Sequence, residues 1–200
     1  LPPSAQLDLM REMRGLIEAV PPQEREIVPA ARWPGDVLRA VERGLSPRIF
    51  HVSSHGVRKD TWWHDGGDTL LFHRTDGGAA FPEREEVVDV LRKCGDGLEL
   101  LFLNACASVD LARYVANKLP GLKVICWQGR VHDACARCFA RAFYNHVGEW
   151  PGGDVAVAFA AALAILRQEY VVGDPDPWPR AVACLGNAKR PQGLPVLVAA

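Results

Sequence analysis

The stretch Leu98-Glu-Leu-Leu-Phe-Leu-Asn-Ala-Cys106-Ala-Ser108 decides how this chain is read. Its apolar residues run on without the alternation of a half-buried strand, and the run is too short for a free-standing helix. A continuous leucine and phenylalanine run closed by small polar residues is the pattern of a strand covered on both faces in a parallel sheet. A second stretch, Arg48-Ile-Phe-His-Val-Ser-Ser-His55-Gly56, is built the same way. In each, a reactive side chain follows the apolar run, so Cys106 and His55 are expected at strand C-termini. Ligands of open parallel sheets collect at that edge, where two residues distant in sequence can meet.

Outward from these runs the chain alternates between strand and helix patterns. Ser4 to Val20 carries Leu7, Met10, Met13, Ile17 and Val20 at helical spacing, and Pro21-Pro22 opens a charged stretch to Pro29. We read residues 1–30 as a leader helix and linker, and 31–200 as one compact domain. Asp36 is expected to cap a short helix through Val37, Leu38 and Val41, ended by Gly44. From Thr61 to Phe81, the Asp65-Gly66-Gly67-Asp68 and Asp76-Gly77-Gly78 turns predict a small hairpin beside the histidine loop. Pro82 then opens a helix with Glu83, Glu85 and Glu86 in its first turn, which Gly95 closes. Ser108 is expected to cap a helix through Leu111, Tyr114, Val115 and Leu119, and Lys123 to Trp127 reads as the next strand. Helices are expected over 132–147 and 154–169, the second apolar nearly all round and therefore buried. Asp174-Pro-Asp-Pro177 leads to a closing strand that ends at Gly186. Such β-α-β alternation implies right-handed crossovers and a mostly parallel sheet with helices on both faces.

Composition narrows the function classes. A chain of 200 residues, 48% apolar, is long enough for one sizeable core. Its net charge of −1 comes from interspersed acids and bases, so no basic stripe points to nucleic acid. No segment has the apolar length to span a bilayer, and the first residues lack a signal-peptide pattern, so a cytoplasmic protein is expected. The sequence begins at Leu1, which predicts a piece of a longer protein. Of six cysteines, Cys94, Cys126 and Cys184 fall in helix or strand patterns as small apolar residues, so reduced thiols are expected. Cys135-x-x-Cys138, with His132 nearby, is half of a zinc pattern without a second half, so no metal is expected.

The ordered set of strand, Ser-His-Gly, glycine-rich insert, helix, strand, Asn-Ala-Cys-x-Ser, helix, strand and an Asp-x-x-Ala-x-x-Phe helix resembles the CHAT domain, a caspase-like relative of separase. The likeness runs from about Trp33 to Gly186, and caspases also place the nucleophile about 50 residues after its histidine. One position departs from the pattern: Ser54 stands where a small residue, often glycine, precedes the histidine. The resemblance implies an α/β, caspase-like three-layer sandwich. It also implies a cysteine endopeptidase with Cys106 as nucleophile and His55 as general acid and base. It requires neither a third triad member nor an organic cofactor.

The residue chemistry fits that implication. A thiolate divides one difficult hydrolysis into two easier steps through an acyl-enzyme. A strand end ahead of a helix N-terminus offers orphan amides that favour an anion. By the resemblance, the N–H groups of Gly56 and Cys106 form the oxyanion hole, and glycine permits close approach of backbone to substrate. Asn104 aligns with the residue that lines the P1 pocket of caspases. Asp133 falls where related proteases keep an acid, which would favour a basic P1 side chain, although Asp also caps helices readily. Trp127 and Gln128 could wall that pocket, or Trp127 could be core. Trp62, Trp63 and His64 could shape the cleft or simply pack their own hairpin. His51, inside its strand, reads as a structural histidine, and His73, His132 and His146 receive no catalytic role.

The function expected is therefore regulated proteolysis of a protein or peptide substrate, controlled by a sensor or repeat module outside this sequence. Two rivals stand beside it. A catalytically silent caspase-fold scaffold would keep the fold without the chemistry. A flavodoxin-like effector-binding module would need a phosphate loop after the first strand, and no Gly-x-Gly-x-x-Gly or Walker pattern is present.

Overall fold

The structure, a computed structural model, describes residues 9–57, 69–129, 131–148, 154–169 and 195–199. The chain divides into two compact units, Leu1–Glu26 with Gly129–Pro195, and Ile27–Gln128 with Val196–Ala200. The second unit is built on a sheet. Strands β1 (Ile49–Ser53), β6 (Leu100–Asn104), β7 (Lys123–Trp127) and β8 (Pro195–Val198) lie in the order β1-β6-β7-β8. β1 pairs parallel with β6, and β6 parallel with β7, which gives the mixed, mostly parallel sheet of an α/β fold. Each parallel step needs a crossover, and helices α3 (Arg84–Lys93) and α4 (Val109–Lys118) provide them.

One apolar cluster explains why the helices lie on the sheet. Val87, Val88 and Leu91 of α3 and Leu111, Ala112 and Val115 of α4 meet Val52, Leu101, Leu103, Val124 and Cys126 of the strands. Leu100, Phe102 and Ile125 alternate with these strand residues and so face the opposite side, where they are just as buried. This burial on both faces is what the uninterrupted Leu-Leu-Phe-Leu run encodes. The α3 ends also follow the sequence: Glu86 Oε2 accepts the Glu83 N–H at 3.0 Å, and Gly95 ends the helix at φ +86°. α2 (Gly35–Glu42) forms as expected, but with Asp36 inside its first turn, paired with Arg32 and Arg39.

Two short antiparallel pairs flank the sheet: β2 (Gly56–Val57) with β3 (Thr69–Leu70), and β4 (Phe72–His73) with β5 (Ala79–Ala80). The second is the expected hairpin, turning at Gly77 with φ +84°. Trp62, Trp63, His64 and the turn at 65–68 lie outside the described residues, as does the expected closing strand through Gly186. β8, whose Val196 carbonyl receives the Cys126 thiol at 3.6 Å, was not anticipated. Its proline stands first in the strand, the position where a missing N–H costs least.

In the first unit, α1 (Leu9–Ala19) packs on α5 (Asp133–Gly148), and α5 on α6 (Val155–Glu169), with Phe139 edge-on to Phe159 at 5.5 Å. One expectation fails here. Only Val155, Ala158, Ala162 and Leu166 of α6 are buried, and Val157 is 66% exposed. Alanine adds to an apolar count but carries little area, so a helix rich in it can face water at small cost. On α1, Met10 is 71% exposed while Glu12 is buried, so the helix is rotated from the stripe its apolar residues describe. Among the described residues no helix is long and apolar enough to cross a membrane.

Candidate catalytic site

β1 and β6 end together. Ser53 is the register partner of Asn104, and the Ser54 N–H reaches the Asn104 carbonyl at 3.4 Å. Two residues beyond Ser53 lies His55, and two residues beyond Asn104 lies Cys106. The chain then brings the loops into direct contact. A methyl group built on Gly56 would run into the Cys106 carbonyl, with the Cys106 carbon at 2.7 Å and its nitrogen at 3.1 Å. No side chain fits there, so glycine at 56 is what lets the histidine loop lie on the cysteine backbone.

The histidine loop is held from its other side by Ser54. This buried hydroxyl donates to Leu71 O at 2.6 Å and accepts the Leu71 N–H at 3.1 Å, and the same N–H reaches His55 O at 3.0 Å. The departure at Ser54 thus supplies a side-chain clamp between the loop and the segment linking β3 to β4. His55 itself is half-buried, and loss of solvation lowers its pKa from the ordinary 6.5, leaving the ring neutral near pH 7. A neutral imidazole can accept a proton and return it.

Cys106 is a half-buried, reduced thiol just before α4. The residue after it, Ala107, has φ +49°, a left-handed conformation that costs a non-glycine residue about 1 kcal/mol. Burial pushes the Cys126 and Cys135 thiols up to about 12, and raises Cys94 and Cys138 as well, so these sites disfavour the reactive thiolate. Among the described residues no three His, Cys, Asp or Glu side chains gather as a metal site.

The residues expected around a P1 pocket are placed less simply. Trp127 is completely buried and its indole N–H donates to Asn104 Oδ1 at 2.8 Å, so Trp127 is core and the Asn104 carboxamide oxygen is directed inward to it. Gln128, the next residue, is exposed. Asp133 begins α5, in the other unit, and its carboxylate pairs with Arg137 one turn along. His132 Nδ1 accepts the Ala134 N–H at 3.2 Å, so it is this histidine that caps α5. His51 stacks on Phe102 at 4.5 Å and bonds Ser53 Oγ at 2.9 Å, a structural role.

Ser108 was misread. It stands at the N-cap of α4, but its hydroxyl caps no helix amide and bonds Ala105 and Trp127 instead. Nothing local distinguishes those two uses of a serine. A comparison with models of known protein families finds no match, and none is found among curated proteins.

Proposed function

We propose that this chain is a CHAT-type, caspase-like cysteine endopeptidase domain, a three-layer α/β sandwich in which Cys106 and His55 hydrolyse peptide bonds. The observation that carries the reading is the contact of Gly56 with the Cys106 backbone: the residue after His55 lies against Cys106 where β1 and β6 end. The half-buried, neutral His55 supports it, as does Cys106 being less buried than Cys94, Cys126 and Cys135.

The chemistry runs in two halves. Neutral His55 takes the proton of the Cys106 thiol, and the thiolate Sγ attacks the scissile carbonyl carbon while the Gly56 and Cys106 N–H groups donate to the developing oxyanion. The C–N bond breaks, the amine leaves with a proton from His55, and a thioester remains on Cys106. His55, now neutral, takes a proton from water as the water attacks the thioester; the acid product leaves and the thiol is restored. No step needs an organic cofactor. Pairing with Arg137 offsets the charge on Asp133, so no basic P1 preference follows from that residue.

A diverse peptide library incubated with the protein, with Cys106→Ala and with His55→Ala tests the reading. Cleavage by the parent, with each variant slower by about a hundredfold or more, is expected. Cleavage that survives Cys106→Ala would overturn it. No cleavage, together with Cys106 inert to peptidyl electrophiles, would favour the scaffold.

A further inference from the structure

We infer that Ser108 and Trp127 are positioning residues that staple the five-residue arch 104–108, at whose apex Cys106 sits; this rests on the peptidase reading above. Both feet of the arch bond one residue. At the first foot the Trp127 indole N–H donates to Asn104 Oδ1 at 2.8 Å. At the second, the Trp127 backbone N–H donates to Ser108 Oγ at 3.2 Å, and the Ser108 N–H donates to Trp127 O at 3.0 Å. Inside the arch, Ser108 Oγ donates its hydrogen to Ala105 O at 2.8 Å. Asn104, Ser108 and Trp127 are 5%, 3% and 0% exposed, so these bonds are shielded from competing water.

Two features show that the bonds hold something that would otherwise move. Ser108 occupies an N-cap, where a serine hydroxyl ordinarily satisfies a helix amide, yet the hydroxyl is diverted to the arch. Ala107 is held left-handed at φ +49°, a conformation that persists in a non-glycine residue only where surrounding contacts impose it. An arch released at Ser108 would relax at Ala107. That would carry Cys106 away from the Gly56 backbone on which it lies. The sequence Asn-Ala-Cys-Ala-Ser thus carries the nucleophile in the middle and its two anchors at the ends, with β7 supplying the common partner.

The test compares the full chain with Ser108→Ala, Ser108→Thr and Trp127→Phe, each first shown to melt cooperatively. Hydrogen exchange at the Trp127 and Ser108 amides reads the staple directly. Ser108→Ala should speed both by about tenfold, the loss expected for one buried hydrogen bond, and Ser108→Thr, which keeps the hydroxyl, should not. Peptide cleavage reads the consequence: kcat falling about tenfold to a hundredfold in Ser108→Ala with KM within about twofold, restored in large part by threonine. Trp127→Phe, which removes the indole donor together with part of a buried ring, should show a fall of the same kind. Labelling separates geometry from general damage, since a peptidyl acyloxymethyl ketone should lose rate as kcat does while iodoacetamide should not. Unchanged exchange in Ser108→Ala overturns the staple, and faster exchange with kcat unchanged overturns its positioning role. If the parent cleaves no peptide while exchange responds as expected, the arch is upheld and the peptidase reading is what fails.

Discussion

Strands β1 and β6 run side by side in register from Ile49 and Leu100 to Ser53 and Asn104, yet β6 is buried at all five positions while β1 is fully buried only at Val52. β6 has a strand on each side; β1 ends the described sheet. Cys106 therefore follows a strand held by packing on both faces, where displacement would open cavities throughout the core. The histidine leaves a strand held by one neighbour and by polar clamps at its tip, with Ser54 as the chief of them. Two residues proposed to act together are thus supported by different forces, one set by core packing and the other by a few hydrogen bonds.

The largest test of that contrast is truncation within the strands. Phe102→Ala, in β6, should cost about 3–5 kcal/mol by denaturant titration. Phe50→Ala, partly buried on β1, should cost about 1–2 kcal/mol because less area leaves the core. Equal costs would show that the two strands are not held differently. Gly56→Ala comes next: relieving the clash with the Cys106 carbonyl should cost about 1–3 kcal/mol. Peptide cleavage by that variant should drop about a hundredfold, through misplacement of the two loops. Ser54→Ala should cost about 1–2 kcal/mol, since Leu71 O loses its buried donor, and activity should fall while the melting of the β6 core stays cooperative.

The smallest effect is one of pH. Burial lowers the pKa of His55 below 6.5, and burial with the Arg137 charge lowers that of His132. The unfolded chain then takes up these protons at a higher pH than the folded one, so stability is complete above about 6.5 and is lost as pH falls. Melting temperature should decline between about pH 7 and about pH 5, and His55→Gln and His132→Gln should each remove part of the slope. A slope untouched by His55→Gln would mean that the loop around β1 does not shield its histidine.

How far the fold was legible depends on how far the signals were local. The β7 bounds at Lys123 and Trp127, the α3 first turn and its Gly95 stop, and the Gly77 turn all follow from residues beside one another. The face that α6 buries did not, because Ala156, Ala160 and Ala164 read as core in composition but are small enough to leave exposed. Nor did the burial of Glu12 on α1, which follows from what packs on that helix and not from its apolar stripe. At the site, Cys106 and His55 were legible as residues that follow strands, whereas glycine at 56, expected to let backbone approach a substrate, lies against the Cys106 backbone. Ser108 looked like a cap, Trp127 like either core or pocket wall, and Ala107 carried no sign of its left-handed backbone.

By itself the sequence determined that two short, largely apolar runs become strands and that a histidine-glycine pair and a cysteine follow them. Length and continuity of an apolar run are properties of the chain alone. Only the tertiary structure decided that the Ser108 hydroxyl bonds Ala105 and Trp127, that the Trp127 indole bonds Asn104, and that Ser54 grips Leu71. A polar side chain has several partners of similar energy within reach, and the choice among them is made by which segments the packed core brings together.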